Sequence, residues 1–252
     1  MKRLTPALRA DADAARGHAV AAVSKASRTR ALIPVARPYA APSAAQRGPV
    51  GGTSKRALDL TAALIASAAL APVMGLLAVT VAVADGGAPV FTHRRIGWNG
   101  REFRCVKFRT MVRDADKRLA ELLEDDPEAA KEWAETRKLR KDPRVTRIGA
   151  VLRKTSLDEL PQLWNVIRGD MSLVGPRPVV DAELDRYGAN RSAYVAVRPG
   201  LTGIWQIRGR SDSCFRRRVR YDSHYTRTWS LARDVAIIAK TVPAVIAGRG
   251  SY

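Results

Sequence analysis

Residues 60–84, LTAALIASAALAPVMGLLAVTVAVA, contain no charged side chain and have Pro72 near their middle. A straight helix needs about 20 apolar residues to cross the hydrocarbon core of a bilayer, so this run is long enough to span one. The sequence therefore predicts a membrane helix, and the other elements must be arranged around it.

Two features of this run argue against simple spanning. Lys55 and Arg56 precede it and the basic residues 93–95 follow it, whereas positive charge ordinarily marks only the cytoplasmic side of a membrane helix. Pro72 lacks an N–H group and clashes with the preceding turn, so the helix is expected to break or bend there. Each arm would then be roughly 18–20 Å long, which is too short for a hydrocarbon core of about 30 Å.

These features favour a re-entrant helix over residues 54–88, with both ends on the cytoplasmic side. Two alternatives stay open, an ordinary spanning helix with a proline kink and a buried helical hairpin in a soluble protein. The re-entrant arrangement is the one that accounts for both the charges and the proline.

The whole chain is strongly basic. Its net charge of +20 and pI of about 10.9 indicate anionic partners, which are nucleic acid, an acidic membrane surface or phosphorylated substrates. Residues 1–53 are predicted to be a disordered basic tail, either a solvated linker or a segment held near anionic headgroups by residues such as Arg28 and Arg30. Cys105 and Cys214 are far apart, so neither a disulfide framework nor a zinc site is indicated and a reducing compartment is expected.

Residues 89–111, PVFTHRRIGWNGREFRCVKFRTM, are predicted to form a small β-hairpin. Two β-prone stretches flank the dipeptide Asn99-Gly100, which is a strong signal for a tight turn. Alternation along the second strand would place four side chains on one side: Phe103, Cys105, Lys107 and Arg109. A row of cations on that side suits diphosphate binding.

Two further helical regions are predicted. Residues 115–139 have the pattern of a surface helix interrupted by Pro127. Residues 216–246 combine clustered Arg with the apolar stretch VAIIAKTVPAVI. This pattern is typical of amphipathic helices at a membrane interface, with Tyr225 and Trp229 at the level of the headgroups.

The chemistry is concentrated in residues 147–178, RIGAVLRKTSLDELPQLWNVIRGDMSLVGPRP. In one interpretation, Ser156 and Glu159 form a capping box that satisfies free N–H groups at a helix start. Pro161 falls just beyond the first turn of such a helix and would disturb it, so a cap alone does not account for the pattern.

In the functional interpretation, Asp158 or Glu159 lies at a helix N-terminus, where free N–H groups and the helix dipole attract phosphate. Arg153 and Lys154 lie a few residues upstream, and two prolines fix the backbone of Arg177; guanidinium groups bind phosphate oxygens in a bidentate fork. Among such cations, and with Mg²⁺ bridging the phosphate oxygens, a carboxylate is able to attack phosphorus and form an acyl phosphate.

The chain resembles the monotopic phosphoglycosyl transferases, bacterial sugar transferases that start lipid-linked glycan assembly by making polyprenyl-diphosphate sugars. The resemblance covers residues 55–252 and rests on ordered motifs: KRALDL before the apolar run, KFRTM at 107–111, SLDELPQLWNVIRGDMSLVGPRP at 156–178, RPGLTGIWQIRGR at 198–210 and YD…WSLARD ending at Asp234. The family often has Ser-Pro at the helix break, whereas this chain has Ala71-Pro72, so a hydroxyl able to bind a freed carbonyl is missing.

The resemblance implies roles for the matching residues. Asp158 would be the nucleophile and a Mg²⁺ ligand, with Glu159 as its dyad partner. The other matches implied to bind substrate or phosphate are Lys107, Arg109, Arg153, Pro176, Arg177 and Pro178. Two further acidic matches, whose roles are open, are Asp222 and Asp234.

The implied fold class is an α-rich α+β membrane protein with a re-entrant helix, interfacial amphipathic helices and a small β-hairpin, in which residues 89–252 form the cytosolic catalytic domain. The implied reaction transfers a sugar 1-phosphate from a UDP-sugar to polyprenyl phosphate, for example undecaprenyl phosphate, and releases UMP through a phosphosugar on Asp158. It would be the priming step of exopolysaccharide or other glycan synthesis, at the cytoplasmic face of the bacterial inner membrane. The residues do not specify the sugar, and a homodimer is left open.

Two other functions compete with this one. A nucleic-acid-binding protein would use the positive charge, but the basic residues are spread along the chain, no helix-turn-helix or zinc spacing occurs, and the run 60–84 has no use there. No nucleic-acid partner is therefore expected. An inactive membrane scaffold would keep the fold, but the intact Asp158-Glu159 pair, with Arg153 and Arg177, argues against it.

Overall fold

A computed structural model of the chain describes residues 48–136, 139, 141–208 and 215–246. The predicted basic tail, 1–53, lies outside the described residues except for 48–53. Cys214 also lies outside them.

The domain combines helices with two small sheets. The α-helices are α1 Gly52–Asp85, α2 Ala115–Asp125, α3 Pro127–Thr136, α4 Arg147–Thr155, α5 Gln162–Arg168, α6 Asp181–Asp185, α7 Arg191–Val195, α8 Ile204–Arg208, α9 Phe215–Arg227 and α10 Leu231–Ile246. The strands are β1 Val90–Ile96, β2 Glu102–Phe108, β3 Ser172–Val174 and β4 Gly200–Thr202. Short 3₁₀ turns lie at Trp98–Gly100, Leu157–Glu159 and Gly188–Asn190. These elements confirm an α-rich α+β fold with a β-hairpin.

Helix α1 contains the whole apolar run. The helix continues through Pro72, so the predicted break is wrong, and the alternative of a bend at Pro72 stays a prediction. Within the part of the chain that the structure describes, α1 is the one helix long and apolar enough to cross a membrane, judged by length and composition. Many of its large apolar side chains are exposed: Leu64, Ile65, Val73, Leu76, Val79 and Val83. Because α1 is one largely exposed helix, the alternative of a buried helical hairpin is excluded.

Both halves of α1 pack against the rest of the domain. Toward its N-terminus, Ala63 is buried in the main hydrophobic core with Val166. Toward its C-terminus, Val81 is buried in a second cluster with Phe108 and other residues. Pro72 removes one backbone hydrogen bond from the helix, and packing on either side of it holds the neighbouring turns in a helical conformation.

A buried ion pair fixes the N-terminal end of α1. Lys55 Nζ lies 2.6 Å from Asp234 Oδ2. The Asp234 carboxylate also accepts hydrogen bonds from Tyr225 OH at 2.7 Å and from Trp229 Nε1 at 2.9 Å. Asp234 is fully buried, so these partners replace the water that would otherwise stabilise its charge.

Two more residues of the KRALDL motif attach α1 to the domain. The Arg56 guanidinium donates to the carbonyls of Val166 and Ile167 at 2.6 and 2.7 Å. These carbonyls lie in the last turn of α5, where helical C=O groups lack partners within the helix. Asp59 Oδ1 accepts from Leu173 N, on β3, at 3.0 Å. The motif is therefore a segment that anchors α1 to the rest of the domain.

The predicted β-hairpin is present. Strands β1 and β2 are antiparallel, with Val90 opposite Phe108 and Ile96 opposite Glu102. The connection passes through Asn99, whose φ of 57° is in the left-handed region that Asn tolerates better than most residues. The Asn-Gly signal therefore identified the turn correctly.

The alternation predicted for β2 holds for its first three members. Phe103 and Cys105 are buried, and the half-buried Lys107 follows at the same spacing. Arg109 comes after the last residue of the strand, and its Nη2 donates to Gly86 O at 2.9 Å. Of the two predicted cations, Lys107 therefore lies on this side of the strand, and Arg109 contacts the segment that follows α1.

The predicted surface helix over 115–139 consists of α2 and α3, which are separated at Pro127 as expected. Asp126 Oδ1 accepts from the backbone N–H groups of Glu128 at 2.9 Å and Ala129 at 3.0 Å. These bonds cap α3. A proline at the first position of a helix has no N–H to satisfy, so it starts a helix without loss.

The C-terminal segment forms the two predicted helices, α9 and α10. Helix α9 buries Val219 and Tyr225 and exposes Arg216 and Arg220. It is therefore amphipathic, with a cationic outer face. Contact of these helices with a membrane interface stays a prediction. The predicted position of Tyr225 at the headgroups is wrong, because its ring is buried and its hydroxyl donates to Asp234.

A second sheet was not predicted. Strands β3 and β4 are parallel, with Ser172 opposite Gly200 and Val174 opposite Thr202. The two backbones approach so closely that a Cβ on Gly200 would lie 2.0 Å from Gly175 N. Three-residue strands carry too little alternation to be recognised from sequence.

Asp222 is buried on the inner face of α9. It accepts a hydrogen bond from Tyr187 OH at 2.8 Å. Burial raises the pKa of the Asp222 carboxyl to about 7, while the hydrogen bond from Tyr187 and the charge of Arg218 act in the opposite direction.

The Lys55–Asp234 pair leads to a prediction about stability. Lys55→Met should lower the free energy of unfolding by about 3–5 kcal/mol, because it leaves a buried carboxylate without its cation. Thermal and urea unfolding of the detergent-solubilised protein would measure this. Lys55→Met/Asp234→Asn should recover part of the loss, and Lys117→Met, at a side chain that is 77% exposed, is the control. A loss no larger than that of the control would contradict the prediction.

Asp222 leads to a prediction about pH. Its folded pKa lies above the unfolded value, so the folded state holds the proton more tightly, and stability should fall as pH rises through the folded pKa of about 7. Between pH 5 and 8 we expect a loss of about 2–3 kcal/mol that Asp222→Asn abolishes, since each pKa unit corresponds to about 1.4 kcal/mol. Urea unfolding of both proteins across this range would measure it, and parallel pH profiles would contradict it.

Candidate active site

Asp158 and Glu159 lie in the 3₁₀ turn between α4 and α5. The residue before this turn, Ser156, has φ 58° and ψ 17°, a left-handed conformation that ends α4 and redirects the chain. An N-cap residue needs an extended backbone, and Ser156 makes no side-chain cap. The capping-box interpretation is therefore wrong, and the Glu159 carboxylate accepts a hydrogen bond from Lys107 instead.

Lys107, at the end of β2, faces both carboxylates. Its Nζ lies 2.6 Å from Glu159 Oε1 and 4.0 Å from Asp158 Oδ2. The side chains of Lys107 and Asp158 are 25% and 13% exposed, so water screens these charges only in part. Lys107 is hydrogen-bonded to Glu159, and it interacts with Asp158 electrostatically without a direct hydrogen bond.

Arg153 is carried to the site by the last turn of α4. Its Nε donates to Thr110 Oγ1 at 2.8 Å. Helix α4 packs so closely on Thr110 that a Cβ on Gly149 would lie 2.1 Å from Thr110 O. Thr146 N donates to the same carbonyl at 3.1 Å. Gly149 thus allows the approach that directs Arg153.

The surroundings of Asp158 affect its pKa in both directions. Burial, the largest effect, raises the pKa of Asp158, and the charge of Glu159 adds to this. Lys107, Arg153 and Arg177 act against it. Burial also lowers the pKa of Arg153, and the charge of Asp158 opposes that change. A carboxylate that is partly dehydrated and close to three cations is suited to react with a phosphorylated substrate.

Arg177 approaches Glu159 from the loop that follows β3. Its Nη1 lies 3.8 Å from Glu159 Oε1, and its guanidinium lies over the Trp205 ring, 5.6 Å from the centroid. The loop is fixed by a hydrogen bond of 2.8 Å from Gly200 N to Pro176 O. The close contact of β3 and β4 therefore sets the position of this cation.

Glu159 lines an open cleft, whereas its neighbour Asp158 is not among the residues of the cleft walls. Several residues predicted for the site lie in its walls: Lys107, Glu159, Arg177 and Pro178. Sequence reasoning assigned no site role to other residues of these walls: Arg95, Cys105, Gln162 and Gln206. The cleft thus combines cations with side-chain amides.

Three of these residues had a signal in the sequence. Arg95 pairs with Phe103 across the hairpin, so the register set by the Asn-Gly turn places it on the side of Lys107. Gln206 and its neighbour Trp205 are part of the motif RPGLTGIWQIRGR, although the motif does not indicate what they contact. Gln162 likewise lies within the motif 156–178, which does not indicate that its side chain lines the cleft.

Three predicted site residues have partners outside the cleft. Arg109 donates to Gly86 O, Asp222 accepts from Tyr187, and Asp234 is the partner of Lys55. The structure therefore gives Asp222 and Asp234 positions in buried networks of the fold. A direct part in the chemistry stays a prediction for both.

The expected Mg²⁺ can be compared with the acidic side chains present. Among the described residues, no group of three or more His, Cys, Asp or Glu side chains is arranged to hold a metal ion. Mg²⁺ is commonly held by one or two carboxylates together with substrate phosphates and water. The Asp158-Glu159 pair is a donor set of this kind, so the residues fit that mode of binding.

Comparison with known proteins identifies the family of the chain. Residues 50–248 match the bacterial sugar transferase family. The chain is 53% identical over 204 residues to the exopolysaccharide production protein ExoY of Sinorhizobium fredii, covering 81% of this chain and 90% of that protein. It is 46% identical over 198 residues to the undecaprenyl-phosphate galactose phosphotransferase of Salmonella typhimurium, covering 79% of this chain and 41% of that protein.

A third relative is the UDP-glucose:undecaprenyl-phosphate glucose-1-phosphate transferase of Caulobacter vibrioides. It is 41% identical over 206 residues, covering 79% of this chain and 72% of that protein. A match to the family over most of the chain, and close relatives over a similar length, show that the chain belongs to the bacterial sugar transferase family and is a bacterial phosphoglycosyl transferase.

Proposed function

We propose that this enzyme transfers a sugar 1-phosphate from a UDP-sugar to undecaprenyl phosphate through a covalent phosphosugar on Asp158. The observation that carries the proposal is the convergence of Lys107, Arg153 and Arg177 on the Asp158-Glu159 pair. The names of the relatives support the substrates, since one specifies UDP-glucose and two specify undecaprenyl phosphate. The relative from Sinorhizobium supports a priming role in exopolysaccharide synthesis.

In the first half-reaction, an Asp158 oxygen attacks the β-phosphorus of the donor. The bond between the β-phosphorus and the oxygen that bridges to the α-phosphate breaks, and UMP leaves with the electron pair. Lys107 and Arg177 neutralise the diphosphate charge that would otherwise repel the carboxylate. When Mg²⁺ is held by the dyad and the substrate phosphates, it supplies further neutralisation.

In the second half-reaction, an oxygen of undecaprenyl phosphate attacks the same phosphorus. The bond from phosphorus to the Asp158 oxygen breaks, which restores the carboxylate and gives the undecaprenyl-diphosphate sugar. The same cations serve both steps, because each step transfers the same phosphoryl group.

Glu159 supports both steps by holding Lys107. Its 2.6 Å bond to Lys107 Nζ fixes the ammonium group while leaving it 4.0 Å from Asp158 Oδ2. A direct Lys107–Asp158 hydrogen bond would occupy the attacking oxygen. In this arrangement the cation lowers the cost of bringing phosphate close and leaves the nucleophile available.

We propose that α1 is re-entrant, bending at Pro72 without a break in the helix, and that both of its ends lie at the cytoplasmic face of the inner membrane. Lys55, near the start of α1, binds Asp234, and Gly86, just after its end, binds Arg109. Opposite ends of a spanning helix would be separated by a hydrocarbon core of about 30 Å. Attachment of both ends to one domain supports re-entry, and it would bring a lipid-bound acceptor to the site without extraction from the membrane.

The role of Asp158 has a direct test. Asp158→Asn should lower kcat by about a thousand-fold or more, because it removes the attacking oxyanion. UMP release would be measured with detergent-solubilised protein, Mg²⁺, undecaprenyl phosphate and UDP-sugars that include glucose, galactose and N-acetylated sugars. Glu124→Gln, on the surface helix α2, is the matched control. Full activity of Asp158→Asn would exclude the covalent mechanism, and the donor that releases UMP would identify the sugar.

The proposed topology predicts that both flanks of α1 are labelled from one side of the membrane. Single cysteines at the exposed positions Thr53 and Ala88, in a protein lacking Cys105 and Cys214, should react with an impermeant maleimide in inside-out vesicles only. Detergent should then expose both sites in vesicles of either orientation. Labelling of the two positions from opposite sides would establish a spanning helix.

A further inference from the structure

Asn165, on α5, has a side chain whose two ends are bound by one strand. Its Oδ1 accepts from Val106 N at 2.9 Å, and its Nδ2 donates to Arg104 O at 2.8 Å. The same Nδ2 donates to Asp170 Oδ2 at 3.2 Å. Asn165 is completely buried, so each of these bonds is made without competition from water.

The amide of Asn165 takes the place of a neighbouring strand. Strand β2 pairs with β1 along one edge, in a sheet of two strands. Arg104 and Val106 are two residues apart, so their backbone groups face the same edge of β2. One amide satisfies the C=O of the first and the N–H of the second, as the N–H and C=O of one residue in a parallel third strand would.

Asn165 is itself held firmly. Its backbone carbonyl accepts from the N–H groups of Gly169 at 3.1 Å, Asp170 at 3.0 Å and Met171 at 3.1 Å. These bonds close the C-terminal end of α5 around the residue. The side-chain amide is therefore a rigid link between β2 and α5 rather than a mobile contact.

The link lies next to the catalytic charges on both sides. Lys107 directly follows Val106 on β2. The turn that carries Asp158 and Glu159 leads into α5 through Leu160 and Pro161, with a hydrogen bond of 3.0 Å from Leu163 N to Leu160 O. A shift of β2 along α5 would therefore change the distances of 2.6 and 4.0 Å that separate Lys107 from the two carboxylates.

We propose that Asn165 is a positioning residue for catalysis, which sets the register of β2 against α5 and so holds Lys107 at the Asp158-Glu159 pair. The inference rests on the proposed function, because it assigns Lys107 a part in phosphoryl transfer. It differs from a purely structural role in one respect: Asn165 acts on the reaction through Lys107.

A double-mutant cycle separates the two roles. Asn165→Leu keeps a side chain of similar size and removes all three hydrogen bonds, and it should lower kcat by about 10- to 100-fold, the effect of a misplacement near 1 Å. In a Lys107→Ala background, the same change should lower kcat by less than about three-fold, because the group that Asn165 positions is absent. UMP release would be normalised to folded protein measured by gel filtration.

Val166→Ala is the matched control for loss of stability. Val166 adjoins Asn165 on α5 and is completely buried in the core, but its side chain makes no polar link to β2. It should lower the melting temperature while its effect on kcat per folded molecule stays below about two-fold. If Asn165→Leu does not fold, Asn165→Ser, which keeps one short polar group, replaces it in the cycle.

The outcomes distinguish this inference from the proposed function. Equal fold-losses from Asn165→Leu with and without Lys107 would overturn the positioning role, and so would an unchanged kcat in Asn165→Leu. Full activity of Asp158→Asn would overturn the proposed function instead, whatever the double-mutant cycle gives.

Discussion

The ion pair between Lys107 and Glu159 joins two parts of the chain that are 52 residues apart. One partner is on a strand of the hairpin and the other is in a 3₁₀ turn between two helices. Because the pair is only partly exposed to water, its geometry fixes where the positive charge beside Asp158 lies. Arg153 and Arg177 add charge from two further segments, so the site exists only when hairpin, helices and loop are all in place.

The chain neighbours of two site cations link the site to helix α1. Phe108 directly follows Lys107, Leu152 directly precedes Arg153, and both are buried with Val81 of α1. Packing of the C-terminal half of α1 therefore bears on the neighbours of two cations. At its other end, α1 is attached to Asp234, which is in α10. A movement of α1 relative to the rest of the domain would reach the site through these contacts.

Sequence reasoning succeeded where the signal was local. The apolar run, the Asn-Gly turn and the interruption at Pro127 each depend on a few consecutive residues. It failed where distant contacts decide the conformation: packing against Phe108 and Val166 carries α1 through Pro72. The left-handed Ser156, set by the end of α4, overrides the capping-box pattern.

The residues of the candidate site were predictable from the sequence, but their roles were predictable only in part. The ordered motifs identified Lys107, Asp158, Glu159 and Arg177, and a separate match to the family identified Arg153. The structure brings these residues together. Motifs do not distinguish a residue of the cleft from one that supports the fold, which is why Asp222 and Asp234 were grouped with the site although their bonds are to Tyr187 and Lys55.

The close backbone contact of Gly175 and Gly200 has a consequence for divergence among related enzymes. Any side chain at Gly200 would collide with the backbone of Gly175. Position 200, which packs against the loop that carries Arg177, therefore accepts only glycine. Leu201 and Gln206 line the same cleft with their side chains, so related enzymes can differ at such positions without the backbone collision that a change at Gly200 would cause.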